Sequence, residues 1–482
     1  MVSAEPRSTV FSREKTQATR YDKVIQRWKE ISVDCSEKEL EANLLSLIWQ
    51  SLDLNFQQVK PNTGLGAGVG LIPDFLVYQD LSKPPVLVVE TKKRTARIAN
   101  EKEQDFAKWC KDQSLYKQAV GYPVPNDKNN GIRQYLDKDK VDPKFLASYG
   151  WVFNGDFFQL WRRVDGLVLP LTPIQKVTEQ SIPRLVRQLE YCLRNPQPAL
   201  VTSIWNQKGG VAKTTNTINL GAVLAAQGKK VLLIDLDTQT DLTTGLGLNS
   251  SQHSGYLEQC LAKLQLGELD EAKSILDTAI QTRQFPTTDK KPFSLDILPG
   301  ERKALDDFRD GKDLELRQKV RLFRKLLEPL REKYDYIFID VSPSIDALTD
   351  AVLLSCDTIL TPLDYGKKSL HHGVNTYQVK VPQARGIRAK AEHLHWGPWN
   401  LGSVFSNCPP DCSAQLEAFI EAELKAKNFT GSLCKTRLKT YAQAKLAEFK
   451  KVPVICWQNS PITKLYKELA DEVFLNHHFI DH

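Results

Sequence analysis

The segment NQKGGVAKTT, at residues 206–215, constrains the fold more than any other part of the chain. It follows ALVTSIW, an apolar stretch typical of a buried strand, and it precedes TTNTINLGAVLAAQG, whose spacing predicts a helix ending at a glycine. A second apolar stretch, KKVLLIDLDTQ, comes after that helix. The order strand, loop, helix, strand predicts the first unit of a doubly wound, mostly parallel sheet.

The glycine-rich loop between this strand and helix is suited to phosphate. Backbone N–H groups at a helix N-terminus point toward an anion, and the helix dipole favours negative charge. We expect Lys213 to reach the β- and γ-phosphates and the Thr214 hydroxyl to hold Mg²⁺. A glycine turn that merely precedes a helix is the alternative, which the flanking elements disfavour. The predicted nucleotide-binding residues are Lys208, Gly209, Gly210, Val211, Ala212, Lys213, Thr214 and Thr215.

The pattern K-G-G-x-x-K-T-T resembles the deviant Walker A motif of ParA/MinD-type ATPases. The resemblance implies ATP as substrate and an ATP-dependent homodimer, in which Lys208 matches a lysine that reaches the partner's phosphates. Ala212 stands where this family most often has glycine. A methyl group is tolerated there if the backbone is right-handed, as a helix start favours, so we expect binding to persist and hydrolysis to be affected more.

Three downstream segments also resemble this family, and the resemblance extends over residues 200 to about 475. VLLIDLDTQ matches a strand after which Asp237 positions the attacking water, although Thr238 replaces the usual proline. YDYIFIDVSPS ends a strand at Asp340, which matches the Walker B acid that binds Mg²⁺ through water. Asn407, after LGSVFSN, resembles the asparagine that contacts adenine. Without the family, Asp340 and Asn407 could each be an ordinary turn residue.

The front half contains a different constellation, in which IPDFLVY and VLVVETKKR contribute Asp74, Glu90 and Lys92. Two carboxylates can bind Mg²⁺ near a scissile phosphate, and an adjacent lysine can stabilise developing charge or activate water. This pattern resembles the PD-(D/E)xK nucleases, in particular the N-terminal domain of type I restriction enzyme R subunits. The resemblance implies metal binding by Asp74 and Glu90, and catalysis by these acids with Lys92.

The segment 36–52 is predicted to be an amphipathic helix that begins with a capping box of Ser36 and Glu39. Glu41 on this helix is the candidate for an additional acid of the nuclease site, although Glu37 or Glu39 could serve. QAVGY provides Gln118 and Tyr122 in a Q-x-x-x-Y pattern found in that subgroup.

GWVFNGDFFQLWR predicts a hairpin like the one that closes the nuclease domain. Acids and lysines flank many surface strands, so the bare motif is weak, and its context favours a nuclease-like fold without showing cleavage.

The chain has 482 residues, more than one hydrophobic core usually serves. Proline recurs in RNPQPA, which predicts a linker. The predicted fold class is α/β, with a restriction-endonuclease-like α/β domain at 1–195, a linker at 196–200 and a ParA-like P-loop domain at 201–482.

Composition points to a cytoplasmic protein with no membrane partner, since no apolar run approaches the roughly 20 residues of a membrane helix. The net charge of +7 permits DNA as a partner. The resemblance to ParA-type ATPases implies non-specific DNA binding by a basic C-terminal group, with a solvated helix face as the alternative. Its members are Lys435, Arg437, Lys439, Lys445, Lys450 and Lys451.

The function that these patterns favour is Mg²⁺-dependent ATP binding and slow hydrolysis, controlling dimerisation and DNA association. A role in plasmid or chromosome partition, with a ParB-like partner, follows from the resemblance. One alternative is an ATP-regulated DNA endonuclease of a restriction or defence type. Another is an ATPase whose front domain is a catalytically inactive DNA-binding adaptor.

Overall fold

The computed structural model describes residues 20–32, 34–66, 70–94, 114–121, 131–249, 255–287, 291–310, 315–390, 396–409 and 414–480. The chain divides into two compact units, Met1–Pro196 with Asp481–His482, and Gln197–Ile480. The division falls inside RNPQPA.

The first unit contains a mixed sheet with the strand order β1-β2-β3-β4-β5-β6, in which β7 pairs with β5. Its β3 and β4 are parallel and the other neighbours in this order are antiparallel. The predicted hairpin is confirmed as β4 and β5, with Trp151 opposite Leu160. The strands are β1 (Val59–Pro61), β2 (Phe75–Val77), β3 (Leu87–Thr91), β4 (Tyr149–Phe153), β5 (Phe157–Val164), β6 (Leu167–Pro170) and β7 (Gln175–Lys176).

Helices pack on both faces of this sheet. On one face Trp49 packs edge-on against Trp151 with ring centroids 5.6 Å apart, and on the other Ile132 lies next to Gly150. The helix predicted from residue 36 forms with its Ser36–Glu39 capping box, but a π-helical turn at Glu41–Leu45 interrupts it. The helices are α1 (residues 20–30), α2 (Glu37–Leu40), α3 (Ser46–Ser51), α4 (Ser114–Val120), α5 (Ile132–Tyr135) and α6 (Ile182–Arg194).

The second unit contains a sheet with the order β10-β11-β9-β12-β8-β13-β14. All neighbours are parallel except β10 and β11, so the predicted mostly parallel sheet is confirmed. Its strands are β8 (Leu200–Ile204), β9 (Val231–Leu236), β10 (Gln281–Phe285), β11 (Phe293–Leu298), β12 (Tyr336–Val341), β13 (Thr358–Leu363) and β14 (Trp399–Phe405), and a short β15 (His478–Phe479) follows near the end.

Helices alternate with these strands, as a doubly wound sheet requires. Across the described ranges, none of the helices combines the length and apolar character needed to cross a bilayer. The helices are α7 (Lys213–Ala226), α8 (Asp241–Gly245), α9 (Tyr256–Leu266), α10 (Leu269–Ala279), α11 (Arg302–Asp310), α12 (Leu316–Arg331), α13 (Ala347–Leu353), α14 (Lys367–Asn375), α15 (Val381–Lys390), α16 (Ala414–Ala426), α17 (Ala442–Lys450) and α18 (Pro461–Ala470).

The parallel strands β8, β9, β12, β13 and β14 end at one edge of the sheet. Ligands of open α/β sheets bind outside these carboxyl ends. The loop after β8, the acids of β9 and β12, and the turns after β13 and β14 therefore meet at a common edge.

Candidate functional site

Residues 206–212 form the loop between β8 and α7, and Asn206 fixes its first part. The buried Asn206 donates from Nδ2 to the carbonyl oxygen of Pro362 at 2.8 Å and accepts from the N–H of Lys208 at 3.0 Å. These bonds tie the loop to the end of β13. Gly209 and Thr215 are exposed, and Val211 is buried.

Ala212 lies just before α7 in the left-handed conformation, with φ 65° and ψ 33°. The expectation of a right-handed backbone at this residue was wrong. An N-cap residue need not have helical dihedrals, because the chain is still turning out of the loop when it reaches the helix. Alanine in this conformation costs about 1–2 kcal/mol, which glycine avoids.

Replacing Ala212 with glycine is therefore expected to stabilise the protein. Relief of the left-handed strain exceeds the roughly 0.4–1 kcal/mol that glycine costs through the unfolded chain, so Ala212→Gly should gain up to about 1 kcal/mol. Thermal unfolding of the two proteins measures the difference. Ala222→Gly in the middle of α7 is the control and should lose about 1 kcal/mol. A loss of stability in Ala212→Gly would contradict the left-handed assignment.

Lys213, the first residue of α7, is 7% exposed and donates to the carbonyl oxygen of Lys208 at 3.2 Å. Burial lowers the pKa of Lys213, while the charges of Asp340 and Asp237 act in the opposite direction. The P-loop lysine therefore lies near both acids that sequence analysis selected for this site.

Asp340 on β12 and Asp235 on β9 are opposite each other in the sheet register, and both are fully buried. Burial, reinforced by Asp235, raises the pKa of Asp340 far above its ordinary value. Burial also raises the pKa of Asp235 to about 7, although hydrogen bonds from Thr243 lower it. Sequence reasoning missed Asp235, whose signal is a charged residue inside the otherwise apolar strand VLLIDL.

The surroundings of Asp340 fit a magnesium ion. Neither of its carboxylate oxygens has a hydrogen-bond partner of normal geometry among the described residues. The Thr214 hydroxyl lies close enough to oppose the rise in the pKa of Asp340. Carboxylate and hydroxyl oxygens are the ligands that Mg²⁺ prefers, and buried polar atoms without partners are rare in proteins.

Asp237 lies in the turn after β9 and is 8% exposed. Its Oδ1 accepts from the N–H of Gln239 at 3.0 Å, and its carbonyl oxygen accepts from the N–H of Thr240 at 2.9 Å. Thr238, where the family has proline, is nearly buried in the same turn. The structure thus places Asp237 beside Lys213, while its role in positioning water remains a prediction.

Lys208 forms an ion pair with Asp364, directly after β13. Asp364 Oδ1 accepts from the N–H of Gly366 at 2.8 Å, and the Asp364 N–H donates to the Ser369 hydroxyl at 2.9 Å. The lysine expected to reach a partner subunit is therefore held by a carboxylate of its own chain. Sequence reasoning missed Asp364, although its position at a carboxyl strand end was a usable signal.

Asn407, after β14, is exposed and donates from Nδ2 to the carbonyl oxygen of Gly210 at 3.2 Å. Its φ is 55°, a conformation that asparagine adopts more readily than most residues. Gly210, with φ 76°, needs the same left-handed freedom. The candidate adenine contact therefore lies against the loop.

The front unit forms a separate acidic cluster. One carboxylate oxygen each from Glu37, Glu41 and Asp74 lie within 4.8 Å of one another, a spacing that could hold a metal ion. Thr91 links two of them, since its hydroxyl lies 2.6 Å from Glu41 Oε1 and 2.7 Å from Asp74 Oδ2. Burial raises the pKa values of both Glu37 and Glu41.

Glu90 is paired with Lys92 Nζ at 2.5 Å, and that nitrogen is also 3.7 Å from Glu37. Burial raises the pKa of Glu90 to about 7, despite Lys92. Burial lowers the pKa of Lys92, but the facing carboxylates outweigh it and the net shift is upward. Glu90 and Lys92 thus border the cluster formed with Asp74.

The remaining front-unit candidates lie elsewhere. Glu39 is exposed and accepts from the N–H of Ser36 at 2.8 Å, so its carboxylate caps α2. Gln118 lies on α4, and Tyr122 lies outside the described residues.

The basic C-terminal residues differ in whether contacts within the protein occupy their side chains. Arg437 donates to Glu417 at 2.7 Å and to the Tyr365 hydroxyl at 2.8 Å, so internal contacts occupy it. The other five are exposed, although Lys445 lies 3.0 Å from Glu448. These five are Lys435, Lys439, Lys445, Lys450 and Lys451.

Comparison with known proteins identifies relatives of the second unit. The family profile described as "AAA domain" matches residues 199–385. The sporulation initiation inhibitor protein Soj of Bacillus subtilis is 30% identical over 284 residues, covering 57% of this chain and 98% of Soj. The chromosome partitioning protein ParA of Caulobacter vibrioides is 37% identical over 171 residues, 34% of this chain and 56% of that protein. The cell division ATPase MinD of Pyrococcus furiosus superposes with a TM-score of 0.41 at 21% identity, over 57% of this chain and 98% of that one.

A doubly wound sheet with a glycine-rich loop, a buried lysine and two buried acids at its carboxyl edge defines a P-loop ATPase domain. The match to Soj extends over nearly all of that relative. The chain belongs to the Soj/ParA family, which confirms the predicted ParA/MinD-type domain.

Proposed function

We propose that the second unit binds and slowly hydrolyses ATP with Mg²⁺, and that this cycle controls dimerisation and DNA association. The observation that carries this proposal is the buried Asp340 carboxylate, without a hydrogen-bond partner of normal geometry among the described residues, close to Lys213 and Thr214. A buried carboxylate without a hydrogen-bond partner is suited to a metal ion bound with a nucleotide at the P-loop. Without such a ligand its burial lowers the stability of the folded protein.

The phosphate loop, two acids, a threonine and Lys208 have roles in the proposed mechanism. The loop N–H groups and Lys213 bind the phosphates, and Asp237 orients water toward the γ-phosphate. Asp340 and Thr214 would hold Mg²⁺, which supplies charge stabilisation on the phosphate oxygens. Lys208 leaves Asp364 and binds phosphates in the partner subunit, so that ATP joins two copies.

DNA association is proposed for the exposed lysines of the C-terminal basic group. Five of its six members have side chains accessible to phosphates, and phosphate contacts of this kind give binding without sequence preference. The relatives named for chromosome partitioning support a partition role with a ParB-like partner.

The switch is tested by DNA binding of purified protein with and without ATP. We expect binding that requires ATP in wild type and is lost in Lys213→Ala, because the variant cannot hold the phosphates that join two copies. Lys230→Ala is the control, since Lys230 precedes β9 and lies at the amino end of the strands. Equal DNA binding with and without ATP would overturn the switch.

A second candidate function, metal-dependent DNA cleavage, is favoured by the front unit. Glu37, Glu41 and Asp74 are close enough for one cation, and Lys92 lies beside them. These residues fit Mg²⁺, which would activate a nucleophile and stabilise charge on a scissile phosphate. Lys92 would stabilise the same charge.

Cleavage of DNA in the presence of Mg²⁺ tests this candidate. Asp74→Ala and Lys92→Ala should each reduce cleavage at least about 100-fold, as expected when groups stabilising the transition state are lost. Glu39→Ala is the matched control, because Glu39 caps the same helix outside the cluster. Equal cleavage by wild type and both variants would refute it. Metal binding without cleavage would favour the inactive DNA-binding adaptor.

A further inference from the structure

Asp235 has no role in the proposed mechanism, yet its carboxylate joins two parts of the site. Its Oδ1 accepts from the N–H of Asp237 at 3.2 Å. Its Oδ2 accepts from the N–H of Thr243 at 2.9 Å and from the Thr243 hydroxyl at 2.5 Å. Both ends of the turn that carries Asp237 are therefore held by one buried side chain.

Thr243 extends this connection to a third segment. It is fully buried on α8, and its hydroxyl also accepts from the N–H of Gly300 at 2.9 Å. A threonine hydroxyl has one hydrogen, so it donates to Asp235 and accepts from Gly300. Valine has the same shape but can make neither bond.

Gly300, in the loop after β11, lies directly against this carboxylate. A Cβ atom at Gly300 would come within 3.0 Å of both Asp235 Cγ and Thr240 Cγ2. The next residue, Glu301, accepts from the N–H groups of Gly255 at 2.8 Å and Tyr256 at 2.9 Å, which anchors the loop to the start of α9. We refer to Asp235, Thr243 and Gly300 as the clamp.

We propose that the clamp fixes the backbone of Asp237 and so makes Asp235 a positioning residue for ATP hydrolysis. This inference rests on the proposed ATPase function. Asp235 is fully buried and acts through the Asp237 N–H and α8. A misplacement of about 1 Å in a reacting group can cost roughly 100-fold in rate, so rigidity at this turn affects catalysis more than affinity.

The test uses Thr243→Val, with Thr243→Ser as the conservative variant and Thr244→Val as the matched control. Thr244 lies on the same helix, but among the described residues its hydroxyl bonds only to carbonyl oxygens of its own segment, the nearer being Thr240 at 3.1 Å. Thr243→Val should lower kcat about tenfold with ATP affinity within about twofold, because the lost bonds position rather than bind. Thr243→Ser should restore most of kcat.

Hydrogen exchange of the Asp237 and Gly300 amides gives a second readout that needs no hydrolysis. Exchange should be about tenfold faster in Thr243→Val and unchanged in Thr244→Val. If the wild-type protein does not hydrolyse ATP, the proposed function is refuted. Hydrogen exchange would still test whether the clamp holds the Asp237 backbone. The clamp is overturned if Thr243→Val matches Thr244→Val in exchange, or if Thr243→Ser loses kcat as fully as valine.

Discussion

Lys208→Ala is expected to abolish ATP-dependent dimerisation, whereas Asp364→Asn is expected to promote it. Lys208 supplies the proposed contact with the partner's phosphates, and the variant loses that contact. In the free protein that lysine is paired with Asp364, so dimerisation must break this ion pair. Ion pairs in contact with water contribute up to about 1 kcal/mol, and this pair is partly exposed, so its removal should lower the ATP concentration needed for half-dimerisation roughly fivefold.

Analytical ultracentrifugation over an ATP titration measures both effects, in an Asp237→Ala background that slows hydrolysis. Lys230→Ala, at the amino edge of the sheet, should behave as wild type. Dimerisation of Lys208→Ala at wild-type ATP concentrations would refute the role of Lys208 in the partner subunit. An Asp364→Asn protein that needs as much ATP as wild type would show that the ion pair does not restrain dimerisation.

Asp340→Asn should remove ATP hydrolysis and yet stabilise the nucleotide-free protein. Loss of the metal ligand removes several kcal/mol of charge stabilisation, or roughly 100-fold or more in rate. The amide is uncharged, so the variant avoids the cost of a buried acid and should gain about 1–3 kcal/mol in the free energy of unfolding. Steady-state ATPase assays and thermal unfolding measure the two opposite effects.

The buried Asp340 also makes the stability of the nucleotide-free protein depend on pH. Burial raises the pKa of Asp340 above its ordinary value of 3.8, so the folded protein binds a proton that the unfolded chain releases. Stability of the nucleotide-free wild type therefore falls as pH rises above about 4, and this contribution is absent in Asp340→Asn.

Asp357→Asn is the matched control for this effect. Asp357 is equally buried in the same unit, but it is paired with Arg331 at 2.6 Å. Breaking a buried ion pair costs about 3–5 kcal/mol, so Asp357→Asn should lower stability. If Asp340→Asn also lowers stability, the Asp340 carboxylate makes favourable contacts in the folded protein, and the cost assigned to its burial is refuted.

The strands of the second unit were predictable because each central strand is buried on both faces. VLLIDL and YIFIDV are apolar apart from one aspartate each, and the carboxyl edge follows from their parallel order. The edge strand β10 was missed because QTRQF alternates between partly exposed and exposed residues before its last one, so it lacks an apolar run. Its pairing with β11 depends on a neighbour rather than on its own composition.

Side-chain partners were less predictable than the strands. The sequence paired Asp74 with Glu90 and offered Glu41, Glu37 or Glu39 as one additional acid. The structure groups Asp74 with both Glu37 and Glu41, and it pairs Glu90 with Lys92. Such choices depend on distances between elements far apart in the chain. The dihedral angles of Ala212 likewise depend on how the loop enters α7, which residue type alone does not determine.

The π-helical turn at Glu41–Leu45 separates α2 from α3, so the residues before it and after it face directions that one continuous α-helix would not give. Each residue of an α-helix is rotated by about 100° from the one before it. A single extra residue therefore changes the direction in which all later side chains face. Glu37 and Glu41, at or before the turn, are thereby oriented independently of Ile48 and Trp49, which are buried beyond it. Deleting one residue from this turn would rotate Glu37 away from Asp74, and it would also rotate the buried Leu40 away from the core. The geometry of the acidic cluster and the packing of Leu40 therefore depend on the same extra residue, so a change in length at this turn alters both.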